Sequence, residues 1–212
     1  GKEQPTRAAI TQGTVLNAQQ TLSLVPEDQA HSFTFAISIK TNTSCTPITL
    51  HFANGSTRNI SISTLQADGA WHQYAVCYYY ATGRIFTYAD GLSVATDDVA
   101  DLELASIEVS GAEIEVADMF FYRSGMNSDE IEALNEGKML KSSLEVYAPL
   151  TNGATDNLAQ SLNEPILSSN TATAVKAIST NAEQPAYNII GQRITNGHKG
   201  IVVRNGKITW QR

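Results

Sequence analysis

Apolar and polar positions alternate with a period of two along most of this chain. In residues 32–40, Phe33, Phe35, Ile37 and Ile39 alternate with Ser32, Thr34, Ala36, Ser38 and Lys40. That is the pattern of a strand with one face on a core. Ile48, Leu50 and Phe52 alternate with Thr49 and His51, and Asn54-Gly55 closes that run as a turn. Residues 14–17, 21–25 and the stretch around Ile60 and Ile62 read as further short strands.

The densest stretch is 71–80, followed by a second run at 84–89. Ala81-Thr82-Gly83 separates the two, and Asp90-Gly91 follows them as turn chemistry. The first run is apolar on both faces. His72, Tyr74, Val76, Tyr78 and Tyr80 point one way, and Trp71, Gln73, Ala75, Cys77 and Tyr79 the other. A strand loaded on both sides is a central strand with cover on each, from a second sheet, another part of the chain or a ligand.

One helix interrupts the strands. Asn127 or Ser128 caps it, Glu130 stands at the capping-box offset from Asn127, Ile131 and Leu134 form a stripe, and Gly137 ends it. The pattern predicts a helix over 128–136. Residues 143–150 then read as a closing strand. The predicted fold is all-β: a two-sheet antiparallel jelly-roll sandwich over residues 1–160, its ordered part running from about 11 to 150, with one short helix. Residues 161–184, rich in Asn, Ser, Thr and Ala, read as a linker, and 185–212 as a small C-terminal β module.

In that module Asn205-Gly206 is a two-residue hairpin signal. It sets Arg204 against Lys207, Val203 against Ile208, Val202 against Thr209 and Ile201 against Trp210. Ile201, Val203, Ile208 and Trp210 then share an apolar face that needs cover. The hairpin is expected to join residues 187–194 in a three-stranded unit, because an isolated hairpin is marginal in water.

Composition narrows the function classes. Of 212 residues, 42% are apolar and 17% charged, with a formal net charge of −7. An acidic chain lacks the basic face that nucleic acid or an anionic membrane requires. No apolar run is long enough to span a membrane as a helix. The opening Gly1-Lys2-Glu3 reads as the start of a mature or trimmed chain without a signal peptide. Cys45 and Cys77 set no disulfide framework, and Cys77, in mid-strand, reads as a buried thiol. The four His residues have no metal-ligand spacing.

Two groups of acids are candidate chemistry. Asp97, Asp98 and Asp101 fall in an acidic stretch expected to be a loop, and they are candidate calcium ligands, although the D-x-[DN]-x-[DN]-G pattern is absent. Glu113 and Glu115 share a strand face, whereas Asp118 falls on the other unless a bulge intervenes. A retaining glycosidase needs two carboxylates on one face about 5 Å apart. Glu113 and Glu115 are expected to be structural or surface carboxylates, and no catalytic residue is assigned.

Trp71-His72-Gln73-Tyr74-Ala75-Val76, a short turn, an alternating strand and Asp90-Gly91 resemble the W-H-x-x-A-V … Y-x-D-G core of laminin-G-like domains, members of the concanavalin A-like lectin/glucanase superfamily. Residues 115–131 resemble that family's last core strand and the helix after it, with Ala117 replacing the first Asp of the pattern. Residues 113–118 loosely resemble the E-I-D-x-x-E catalytic strand of a glucanase family, with two of its positions replaced. Tyr187-Asn188-Ile189-Ile190-Gly191-Gln192-Arg193-Ile194, followed by Lys199-Gly200-Ile201-Val202-Val203-Arg204-Asn205-Gly206-Lys207, resembles the C-terminal sorting-type domain linked with type IX secretion in Gram-negative bacteria.

The resemblances imply an exported protein, in the periplasm, on the outer-membrane surface or secreted. Its expected role is that of a non-catalytic, lectin-like carbohydrate-binding domain, with a glycan or a cell-surface protein as partner. Trp71, Tyr79 and Tyr88 are the candidate sugar-stacking residues. A protein-adhesion or scaffold module is the alternative, and a glucanase-type glycoside hydrolase the third reading.

Overall fold

A computed structural model of the chain describes residues 6–60, 66–99 and 102–169, together with the backbone of four strands between 186 and 211. The strands run in order as β1 (Thr14–Leu16), β2 (Gln20–Leu24), β3 (Phe33–Lys40), β4 (Ile48–Phe52), β5 (Thr57–Asn59), β6 (Trp71–Tyr79), β7 (Arg84–Ala89) and β8 (Leu92–Asp98). β9 (Leu104–Ser110) and β10 (Ile114–Tyr122) precede the helix α1 (Ser128–Asn135), and β11 (Leu144–Ala148) and β12 (Ile166–Ser169) follow it.

These elements form two antiparallel sheets. One has seven strands, ordered β1-β10-β3-β6-β7-β8, with β11 also on β10; the other is ordered β12-β2-β9-β4-β5. The predicted sandwich is therefore the observed one, with β6 inside the larger sheet. Correcting the predicted linker, Ile166–Ser169 is an edge strand paired with β2. Its polar Ser168 and Ser169 carry no period-two signal, and the strand exists because β2 offers an open edge.

The double load on β6 has two different covers. Tyr74, Val76 and Tyr78 join Phe33, Phe35, Ile37 and Ile39 in the core between the sheets. Ala75 and Cys77 join Ala36, Tyr88, Phe120 and Tyr122 on the outer face, beneath Ile131 and Leu134 of α1. The helix starts where the capping box placed it: the Glu130 N–H donates to Asn127 Oδ1 at 3.0 Å and the Asn127 N–H to Glu130 Oε2 at 2.9 Å. Both cysteines are free, and Cys77 is buried, as a mid-strand thiol should be.

β10 reaches the same two layers through a bulge. Ala117 pairs with Ser38 and Phe120 with Ala36, so Asp118 and Met119 together face the single position of Ile37. Asp118 takes a positive φ of 47° there. Before the bulge Ile114 and Val116 point into the core; after it Met119 and Phe121 do. The extra residue resets the alternation. A regular strand of the same sequence would point Phe120 and Tyr122 inward.

The tail is a compact unit of its own. Its strands β13 (Ala186–Asn188), β14 (Arg193–Ile194), β15 (Gly200–Arg204) and β16 (Lys207–Gln211) form a sheet ordered β14-β13-β15-β16. The register is the one that the Asn205-Gly206 signal predicts: Arg204 opposite Lys207, Val203 opposite Ile208, Val202 opposite Thr209 and Ile201 opposite Trp210. The expected three strands are four, because residues 187–194 are divided between β13 and β14. The packing of the Trp210 face lies outside the described residues.

Candidate functional site

A row of polar residues crosses the outer face of the seven-stranded sheet beside its apolar layer. Ser38 of β3 lies between Ala117 of β10 and Gln73 of β6. Gln73 in turn meets Asp90 at the end of β7: the Asp90 N–H donates to the Gln73 carbonyl at 2.8 Å, and the Gln73 N–H to Asp90 Oδ1 at 2.9 Å. Asp118, carried by the bulge, completes the row next to Ala117. Strand pairing thus puts four polar residues in line, between a row of Ala36, Ala75, Tyr88 and Phe120 and a row that holds Lys40, Trp71 and Glu115.

Three of these side chains are deeply buried: Ser38 is 3% exposed, Asp118 5% and Gln73 6%. Buried polar atoms ordinarily find partners. Among the described residues, neither the amide nitrogen nor the amide oxygen of Gln73 has one, nor has Asp118 Oδ2. These atoms line a cleft of about 340 Å³, whose walls include Trp71, His72, Asp90, Arg7 and the end of α1 at Asn135 and Gly137. The volume lies in the range of ligand pockets.

The walls are held electrostatically. Arg7 comes from the segment before β1, whose N–H donates to the Gly137 carbonyl at 2.7 Å. Its Nε lies 3.3 Å from Asp118 Oδ2, and its guanidinium stacks over Phe120 at 4.9 Å. Tyr147 donates its hydroxyl to Asp118 Oδ1 at 3.2 Å. Burial raises the pKa of Asp118, and the Arg7 charge and the Tyr147 hydrogen bond only partly offset it. His72 Nδ1 lies 2.7 Å from Asp90 Oδ2 and its Nε2 3.1 Å from Asp68 Oδ1. Burial works against charge on His72, but the hydrogen bonds and charges of Asp90 and Asp68 outweigh it and raise the pKa.

Of the three predicted stacking residues, only Trp71 lines this cleft. Lys40 Nζ sits over its ring at 5.1 Å, and a Cβ on Gly13 would lie 2.7 Å from its Cη2, so the indole needs that glycine. Tyr88 is 5% exposed in the layer beneath α1, which puts it out of reach of a stacking sugar. Tyr79 packs against the same layer, edge-on to Phe86, and donates its hydroxyl to the Met126 carbonyl. Burial pushes that phenol up to about 12.

The acidic stretch is not the loop the sequence suggested. Asp97 and Asp98 are the last residues of β8, so they point to opposite faces. Arg58 pairs with Asp97, and Arg84 Nε lies 3.2 Å from Asp98 Oδ1. Asp101 lies outside the described residues. No group of three or more His, Cys, Asp or Glu is placed to hold a metal ion among the described residues. Glu113 is exposed at a φ of 59°, whereas Glu115 pairs with Lys40 at 2.6 Å and accepts the Gly13 N–H at 2.8 Å. Glu113 thus stands on the surface, and Glu115 ties β10 to β3 and to Gly13.

Sequence reasoning missed Arg7, Ser38, Gln73 and Asp118 as a group. One signal was present: Gln73 alternates with Ala75 and Cys77 on a face expected to be covered, and a polar residue on a covered face needs a partner.

No family model and no curated protein matches this chain. Solved structures do. A Bacteroides ovatus protein provisionally classed as carbohydrate-binding superposes with a TM-score of 0.55 at 13% identity, over 74% of this chain and 60% of its own length. The receptor binding domain of botulinum neurotoxin D gives a TM-score of 0.44 at 13% identity, over 60% of this chain and 44% of that one. Domain 4 of a Geobacillus stearothermophilus arabinanase, in complex with arabinotriose, gives 0.43 at 13% identity, over 57% and 75%. This chain thus spans three-fifths or less of the first two structures. Among the described residues no helix is long and apolar enough to cross a membrane. The first of these likenesses, with the strand order above, identifies the fold as a two-sheet antiparallel sandwich consistent with the concanavalin A-like type.

Proposed function

We propose that this chain is a non-catalytic carbohydrate-binding domain and that the polar cleft on the outer face of its larger sheet is the sugar site. The observation that carries this reading is Gln73: a buried amide with donor and acceptor both unpartnered among the described residues, lining a cleft that Trp71 also walls. Sugar hydroxyls supply the matching donors and acceptors, and an aromatic ring takes the apolar face of a sugar. The fold shared with the Bacteroides ovatus protein supports the same reading.

Export belongs to this proposal. It is supported by the resemblance of the tail to sorting-type domains, and the partner is then a glycan of a cell surface or of the surrounding medium. A glycan array with and without calcium, read with the full chain and with Gln73→Ala, tests the assignment. Binding that Gln73→Ala reduces at least tenfold supports it. Binding that the substitution leaves intact moves the site elsewhere. Absence of glycan binding, with capture of a cell-surface protein instead, favours an adhesion module.

A further inference from the structure

The charges around the cleft restrict what can enter it. Carboxylates come from Asp118 on β10, from Asp90 at the end of β7 and from Glu136 after α1. Two cations face them, and both are already matched. Arg7 lies against Asp118, and His72 lies between Asp90 and Asp68. Glu136 is paired with Lys138 at 2.6 Å. An anionic ligand would therefore add negative charge beside the buried Asp118 and the part-exposed Asp90, with no unmatched cation among the described lining residues. Charge repulsion grows as water is excluded, so this is where it discriminates most.

The unpartnered atoms ask instead for neutral polar groups. The Gln73 amide offers a donor and an acceptor from one planar group, Arg7 Nη1 a donor and Asp118 Oδ2 an acceptor. Neighbouring hydroxyls, each both donor and acceptor, satisfy such a set without changing its charge.

We propose that this cleft recognises a neutral, hydroxyl-rich sugar and rejects its carboxylated counterparts, with Gln73 reading the hydroxyls and Asp118 excluding the anion. The inference rests on the carbohydrate reading of the same site. Gln73 is a sound probe because its side-chain amide makes no hydrogen bond to the described residues, so removing it leaves none of their groups unpaired.

The test is calorimetry of the full chain with matched pairs of ligands, such as oligogalactosides against oligogalacturonates and oligoglucosides against oligoglucuronates. The neutral member of a pair should bind, and the carboxylated member should bind at least tenfold more weakly. Gln73→Ala should lose at least tenfold in affinity for the neutral sugar at an unchanged Tm. Asp118→Asn should narrow the gap between the two members at least threefold by admitting the anion. If Asp118→Asn fails to fold, Gln73→Ala and the paired ligands decide alone. Equal affinities, or a preference for the carboxylated sugar, would overturn this inference and leave the carbohydrate reading standing. Failure of every glycan to bind would overturn that reading as well.

Discussion

Arg7 and Asp118 form a buried ion pair, each side chain 8% exposed, with Nε and Oδ2 3.3 Å apart. Arg7 Nη1 and Asp118 Oδ2 still lack hydrogen-bond partners among the described residues. A pair so placed gains little net stability when intact, because both charges were taken out of water to make it. Losing one member is another matter. Arg7→Ala leaves the Asp118 carboxylate buried beside apolar Phe120 and should cost about 3 kcal/mol, read as a lower midpoint in urea unfolding. A loss below roughly 0.5 kcal/mol, the size of a surface pair, would mean that water reaches Asp118 freely.

Gln73 should show the opposite sign. A buried amide without partners costs about 1–3 kcal/mol relative to a satisfied one. Gln73→Met keeps nearly the same volume and removes the polar atoms, so the variant should unfold at a higher urea concentration than the wild type while losing glycan binding. A residue that weakens the fold and is kept for its atoms is what a binding site requires. Destabilisation by more than about 1 kcal/mol would show instead that the amide is satisfied in solution, and the cleft would lose its main claim.

Those two residues also mark where the sequence stops being readable. The alternation in β3 and the double load on β6 specify which side chains meet the inter-sheet core, and the structure agrees for Phe33 through Ile39 and Tyr74 through Tyr78. The Asn205-Gly206 signal specifies the register of the last hairpin, and the pairing of Arg204 with Lys207 agrees with it. The cleft is different. It is assembled by Ala117–Ser38 and Ser38–Gln73 pairing between strands distant in sequence, by a bulge with no glycine to announce it, and by Arg7 returning from the segment before β1. No local pattern encodes those contacts. Strand β12 escaped for a related reason: its place comes from the open edge of β2, and its own residues carry no alternation.

His72 gives a pH signature. Its pKa is raised above the ordinary 6.5, so the folded protein holds its proton more tightly than the unfolded chain does. The stability this contributes is fully present below the unfolded pKa and is lost as pH rises through the folded one. His72→Gln should therefore cost most at about pH 5.5 and least at about pH 8.5. The difference from wild type should be at most about 1 kcal/mol, given the partial solvation of its partners. Other titrating groups are common to both proteins and cancel in that difference. A gap that widens with rising pH would mean that the neutral imidazole is the form the fold prefers.

The bulge in β10 makes the most demanding prediction. Ala117 pairs with Ser38 and Phe120 with Ala36, so the strand carries one residue more than β3 can match. Deleting Asp118 leaves Met119 alone opposite Ile37 and restores a regular ladder, with Val116, Met119 and Phe121 still facing inward and Phe120 and Tyr122 outward. The deletion variant should therefore fold around the same core by circular dichroism, having lost the carboxylate that pairs with Arg7. Asp118→Gly separates the backbone role from the side chain. Glycine accepts the φ of 47° at no steric cost, so the bulge survives and only the carboxylate is lost. That variant should fold, with Arg7 left unpaired and a midpoint lowered by about 3 kcal/mol. A deletion variant that is insoluble or unfolded would show that β10 and β3 need the extra residue to keep their pairing.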